Sequence, residues 1–192
     1  MNESLAKAKS ALRDSIRARL NTISPEKRAA ESVQLCALFK ATRHWQTANA
    51  VLFFAPLPDE PDLWPLLTTA LALGKTVALP RFDSVTKDYR AARILNPATD
   101  VTTGAFGIRE PVGHCPELPL NRLDLVLVPG VAFDAQGWRL GRGKAFYDRL
   151  LTQVRGTTCG VAFDEQIVEA IPREPHDVRL TCILTPTRLI ET

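Results

Sequence analysis

The chain has little net charge, no long apolar run and no paired cysteines. Lysine and arginine number 24 against 21 aspartates and glutamates, a formal net charge of +3. So even a balance excludes the broad basic surface of a nucleic-acid binder and leaves anion binding to local clusters. The basic first segment has no aromatic platform beside it, which argues against RNA binding. No apolar stretch approaches the roughly 20 residues needed to cross a bilayer, and Met1-Asn2-Glu3-Ser4 lacks the apolar core of a secretory signal. A cytoplasmic protein without membrane contact is expected. Cys36, Cys115, Cys159 and Cys182 are widely spaced and form no C-x-x-C pair. They lack the ligand spacing of a zinc site and read as buried free thiols in a reducing compartment. His44 and His114 have no partner in the sequence and read as surface residues.

A chain of 192 residues suits a single domain spanning 1–192. Leu5, Leu12, Ile16 and Leu20 make one apolar stripe at helical spacing, and Lys9, Arg13 and Arg17 make a parallel basic stripe four residues apart. Ser24-Pro25 opens a second helix as N-cap and first residue, with Val33, Ala37 and Leu38 expected on it. The period then changes. Residues 50–55, 76–79, 125–128, 158–163 and 182–185 read as buried strands, the last of these closing the sheet, and 89–95 as a more exposed strand. Helical patterns recur over 62–73 and 146–154, and 96–122 reads mostly as loop. Alternating strands and helices predict an α/β fold, a mainly parallel open sheet with helices on both faces. Ligands of such sheets lie beyond the carboxyl ends of the strands, which directs attention to the loops after Ala55, Leu79 and Val128.

The chemistry concentrates after the strand at 125–128. The chain runs Pro129-Gly-Val-Ala-Phe-Asp134, then Gly137-Trp-Arg-Leu-Gly-Arg-Gly-Lys-Ala-Phe-Tyr-Asp148. Glycines let the backbone approach a ligand, a helix start offers amides to an anion, and Arg139, Arg142 and Lys144 add the charge a triphosphate needs. This is not a Walker A loop, because Trp138 and Ala145 occupy required glycine and hydroxyl positions. It is not the dinucleotide fingerprint either, because Phe146 occupies the third glycine position. From the residues alone, Lys9 and Arg13 also fit a solvated helix face, Asp148 a first-turn carboxylate, Asp134 a turn residue, Glu60 an exposed loop acid and Ala55 a core alanine. Trp138 is the one tryptophan whose loop position suggests more than packing.

These residues resemble the 5-formyltetrahydrofolate cyclo-ligase family. Its signature runs Pro-Gly-x-x-Phe-Asp, then Gly-x-Arg-Leu-Gly-x-Gly-x-Gly-Tyr-Tyr-Asp. Leu79-Pro-Arg81, Gly107-Ile-Arg-Glu-Pro111 and His176-Asp177 also look like family landmarks, so the likeness covers nearly the whole chain. The resemblance implies conversion of 5-formyltetrahydrofolate and ATP into 5,10-methenyltetrahydrofolate, ADP and phosphate. The γ-phosphoryl group passes to the formyl oxygen, and N10 then displaces it as phosphate. It implies that Lys9, Arg13 and the loop residues Arg139, Leu140, Gly141, Arg142, Gly143, Lys144, Ala145, Phe146 and Tyr147 bind ATP. Arg142 and Lys144 would stabilise the moving phosphoryl group. Ala55, Glu60 and Tyr147 would face the folate, and Asp148 and Asp177 would hold Mg²⁺. A monomer is expected. Ala145, Phe146, Leu63 and Thr181 depart from the family pattern, where glycine, tyrosine, threonine and an acid are usual. The departures at 145, 146 and 181 motivate a second reading, a non-catalytic relative that binds nucleotide or folate.

Overall fold

The computed structural model describes residues 3–104, 107–143, 145–175 and 177–192. Helices α1 (Glu3–Asn21), α2 (Pro25–Lys40) and α3 (Arg43–Thr47) precede strand β1 (Ala50–Leu52). Helix α4 (Trp64–Ala72) leads to the hairpin β2 (Thr76–Asp83) and β3 (Asp88–Ile94). The segment that reads as loop contains a short helix α5 (Pro97–Asp100) and a small hairpin, β4 (Val101–Thr103) and β5 (Arg109–Pro111). There follow β6 (Leu125–Val128), β7 (Ala132–Asp134), β8 (Arg139–Leu140), α6 (Phe146–Leu151), β9 (Thr157–Val161), β10 (Ile167–Val168), β11 (Cys182–Leu184) and β12 (Leu189–Glu191).

The main sheet is ordered β12-β11-β9-β6-β1-β2-β3. All its pairings are parallel except those of the two edge strands, β3 and β12. Alternation explains why its strands are apolar throughout. Val51, Leu125, Leu127, Cys159 and Leu184 face α2, α3 and α4, while Leu52, Val126, Val128 and Ile183 face α6. The predicted mainly parallel sheet with helices on both faces is the fold observed.

A second, three-stranded sheet, β10-β7-β8, lies over residues expected to be loop. It is closed by Asp134, whose carboxylate accepts from the amides of Gln136, Trp138 and Ile171. Asp134 is thus a turn residue, as its sequence position suggested. Gly137, at φ +91°, is required at that turn, because a Cβ would lie 2.7 Å from the Leu180 carbonyl oxygen. Ile16 and Leu20 of α1 pack with Val131, Ala132, Leu140 and Phe163 on and beside this sheet. That contact holds the first helix against the end of the main sheet.

Several sequence expectations are corrected. Ser24 caps α2 as predicted, accepting from the Lys27 amide, but the buried face of the helix is Ser32, Leu35, Cys36 and Phe39, and Val33 is 66% exposed. Strand β2 runs on through Leu79-Pro-Arg81 instead of ending before it, and α6 stops at Leu151. Strand β12 continues the sheet beyond Cys182–Leu184.

Candidate active site

The sheet begins in its middle. From β1 it grows to β2 and β3 on one side, then to β6, β9, β11 and β12 on the other. The carboxyl ends of β1 and β6 therefore diverge at the topological switch point, where an open sheet offers a crevice. A cavity of about 310 Å³ occupies this place, walled by Phe54 and Ala55 after β1, Pro80 in β2 and Pro129-Gly130 after β6. The loop residues Arg139, Gly141, Arg142, Gly143, Ala145, Phe146, Tyr147 and Asp148 close one side, and Leu57 and Glu60 the other.

The cradle is built from distant pieces of chain. Helix α1 brings the Arg13 Nε to 2.9 Å from the carbonyl oxygen of Gly141, and a Cβ on Gly143 would come within 3.8 Å of the same guanidinium. Gly143 itself has φ +99°. Ala145 adopts a left-handed conformation, φ +51° and ψ +18°, immediately before α6, so the family's usual glycine at this position has a conformational cause. Phe146 packs edge-on against Phe82 and Tyr89, with centroids 5.8 and 5.1 Å away, so the missing phenol hydroxyl leaves an aromatic cluster intact. Arg139 is buried. It donates to Asp148 at 2.5 Å and lies over the Tyr147 ring. Leu140 is a core residue of the small sheet, and its carbonyl accepts from Val131. It is not among the walls of the cavity. Lys144 lies outside the described residues, as does His176.

Lys9 and Arg13 lie one helical turn apart and do different things. Lys9 is buried and paired with Glu174 at 3.0 Å and Asp177 at 3.1 Å. Arg17, the third member of the stripe, is exposed and pairs with Asp14. The carboxylates expected to hold a metal are thus each satisfied by a cation, Asp148 by Arg139 and Asp177 by Lys9. Asp148 lines the cavity, and Asp177 is not among its walls. Both are hard oxygen donors of the kind Mg²⁺ takes. Thr181 bonds through its hydroxyl to the backbone amide and side chain of Thr158. That residue joins strands and is not a wall of the cavity.

The opposite wall is acidic. Glu60 is held by the Leu57 amide at 3.0 Å, and its side chain is 7% exposed and paired with Arg142 at 3.0 Å. Burial pushes its carboxyl above the ordinary carboxylate range, against the pull of the Leu57 amide and Arg142. Asp59 meets the same guanidinium at 2.8 Å. Burial, reinforced by Glu60, also raises the Tyr147 phenol. Arg142 bridges the two walls, so Glu60 and the glycine loop are in direct contact. Sequence reading also passed over Asp59, whose one signal was adjacency to Glu60, and Arg109, which lines the cavity with its guanidinium 4.0 Å from the Trp64 ring centroid.

A glycine cradle supported by a basic helix, set at the switch point of a parallel sheet, defines an α/β protein built to hold an anionic ligand beside a second, largely apolar one. The profile of the 5-formyltetrahydrofolate cyclo-ligase family matches residues 5–186, and the chain belongs to that family of ligases. It is 37% identical to the 5-formyltetrahydrofolate cyclo-ligase of Mycolicibacterium smegmatis over 78% of this chain and 82% of that one. It is 32% identical to the enzyme of the same name from Escherichia coli, over 92% of this chain and 99% of the other. Among solved structures, the 5,10-methenyltetrahydrofolate synthetase of Aquifex aeolicus superposes with a TM-score of 0.86 at 33% identity, covering 95% of this chain and 92% of that one.

Proposed function

We propose that this protein converts 5-formyltetrahydrofolate to 5,10-methenyltetrahydrofolate at the expense of ATP, releasing ADP and phosphate. The observation that carries the reading is the convergence of Arg13, Arg139 and Arg142 on a glycine loop that shares one cavity with the buried acid Glu60. A formyl amide oxygen leaves poorly, and transfer of the γ-phosphoryl group makes it a phosphate ester that leaves well. The substrate's N10 then attacks the carbon and the ring closes as phosphate departs. The protein's share is to align two ligands and stabilise charge as it moves.

Arg142 is the described cation placed to follow the phosphoryl group, since it lines the cavity and is held only by side-chain partners on the facing wall. Lys144 is assigned to the same task on its sequence position alone. Arg13 positions the loop through the Gly141 carbonyl and adds charge for the nucleotide, and Lys9 ties Glu174 and Asp177 to the same helix. Ala55, Glu60 and Tyr147 form the folate side, with the Glu60 carboxylate an acceptor for the pterin's N–H groups. Asp148, with Asp177 freed from Lys9, would hold Mg²⁺, which would supply charge neutralisation on the phosphates when bound. No helix among the described residues is long and apolar enough to cross a membrane.

The test is absorbance of methenyltetrahydrofolate formed by purified protein with 5-formyltetrahydrofolate and Mg²⁺, with and without ATP. ATP-dependent turnover is expected. Binding of both ligands with no product would establish the non-catalytic reading.

A further inference from the structure

Three residues of the main sheet form a row that sequence spacing conceals. Cys159 of β9 is the register partner of Cys182 of β11, and Cys182 that of Glu191 of β12. Residues opposite each other on neighbouring strands point to the same face. A thiol, a second thiol and a carboxylate therefore stand side by side at the edge of the sheet. Helix α3 covers this edge. Trp45 is buried in the core and holds the helix down, and the preceding residue, His44, brings its Nε2 to 3.0 Å from the Glu191 Oε1. The ligand atoms of His44, Cys182 and Glu191 all lie within 4.8 Å of one another. Cys159 stands beside Cys182 through the strand register, and its thiol donates to the Gly160 carbonyl at 3.5 Å. Neither cysteine is oxidised, and both are fully buried. His44 and Glu191 remain partly open to solvent, with side chains 22% and 62% exposed, which gives an ion a way in.

We propose that His44, Cys159, Cys182 and Glu191 bind a thiophilic divalent cation, Zn²⁺ by preference. One imidazole nitrogen, two sulfurs and one carboxylate oxygen complete a tetrahedral set. Metal bonds of about 2.0–2.3 Å place such donors roughly 3.5 Å apart, close to the spacing of His44, Cys182 and Glu191, and the strand register brings Cys159 beside Cys182 as the fourth. Each thiol that coordinates loses its proton to solvent. The set contrasts with the other His/Cys/Asp group, Asp100, His114 and Cys115. There the Asp100 carboxylate is already occupied by the Leu95 and Asn96 amides, and the His114 side chain is 75% exposed. None of the four proposed ligands lines the catalytic cavity. The ion would tie α3 to the edge strands, and the proposal stands or falls apart from the folate reaction.

The experiment titrates chelator-treated full-length protein with Cd²⁺, read by thiolate-to-metal charge-transfer absorption in excess Mg²⁺. Saturation at one equivalent is expected. Cys182→Ser should abolish the band, and His44→Ala and Glu191→Gln should each weaken binding at least tenfold. Cys36→Ser, which removes a thiol with no histidine beside it, should leave binding unchanged. His44 and Glu191 are partly exposed, so their variants test the site even where Cys182→Ser fails to fold. Absence of the band at one equivalent, or equal affinity in wild type, His44→Ala and Glu191→Gln, would overturn the proposal.

Discussion

The two walls of the cavity solve opposite electrostatic problems. The cradle wall gathers positive charge on backbone that glycine keeps open, with Arg139 buried and the Arg142 side chain partly exposed. The facing wall buries a carboxylate after β1, where desolvation works against its charge. Arg142 joins the two. It neutralises Glu60 and Asp59 across the gap, at 3.0 and 2.8 Å. The comparison teaches that the two walls are linked before any ligand binds. On the proposed reading, a phosphate group that draws Arg142 away would leave Glu60 free to accept from the folate, and a folate that satisfies Glu60 would release Arg142.

The most severe break of this linkage is Arg142→Ala. Turnover should fall roughly 10²–10³-fold, the usual cost of removing one preorganised donor from developing charge. The Michaelis constant for the folate substrate should move as well, since Glu60 loses its partner. Steady-state kinetics over both substrates check this. Activity within tenfold of wild type would reduce Arg142 to a tie between walls.

Glu60→Gln is the milder break. The Michaelis constant for 5-formyltetrahydrofolate should rise about tenfold, the scale of one charge-assisted hydrogen bond. The constant for ATP should shift by a smaller factor in the same experiment, because Arg142 is no longer restrained. The double variant with Arg142→Ala should depart from additivity by about 1 kcal/mol or more. Strict additivity would show that the walls act independently.

A second buried acid sharpens the contrast. Glu110 accepts from the Phe82 amide at 3.1 Å, yet its Oε1 has no partner among the described residues. Burial raises its carboxyl above the ordinary value of 4.5. A native-state value above the unfolded one means that stability from this group is full below pH 4.5 and is lost as pH rises through the raised value. Glu110→Gln mimics the protonated form, so it should raise Tm by about 2 °C at neutral pH and by nothing in acid. A gain independent of pH would show that ionisation of Glu110 is not its cause.

The sequence carried the sheet's apolar strands and the cradle residues plainly, because buried parallel strands are continuous apolar runs and a phosphate loop needs its glycines in one stretch. It hid what depends on contacts between distant segments. Strands β7 and β8 are short and interrupted by the Asp134–Gly137 turn, so no period shows. The buried face of α2 gives no local signal, because Val33 is apolar yet exposed, while Ser32 is polar yet buried with its hydroxyl on the Arg28 carbonyl. The pairings of Lys9 with Asp177 and of Arg142 with Glu60 span more than 80 residues, and no local spacing announces them. Only the family resemblance put those residues at one site. The row of Cys159, Cys182 and Glu191 was hidden for the same reason, since register is a property of strand pairing.

Ala145→Gly probes the cradle wall alone and should have the smallest effect. Alanine at φ +51° costs about 1 kcal/mol relative to a residue without Cβ. Glycine removes that strain but adds conformational freedom to the unfolded chain, an offset of about 0.4–1 kcal/mol. The two nearly cancel, so Tm should move by less than about 3 °C. Turnover depends on where the Gly141, Arg142 and Gly143 backbone and side chains sit. Arg13 fixes that arrangement through the Gly141 carbonyl, and Phe146 fixes it through Phe82 and Tyr89. One methyl group at a position already left-handed changes none of these contacts. A change in kcat of less than about fivefold is therefore expected, read in a paired assay of wild type and variant at saturating ATP and Mg²⁺. A gain of several orders of magnitude would show that the methyl group had blocked the nucleotide. The cradle of the wild type would then belong to a binding protein, and glycine at 145 would be what separates it from a catalyst.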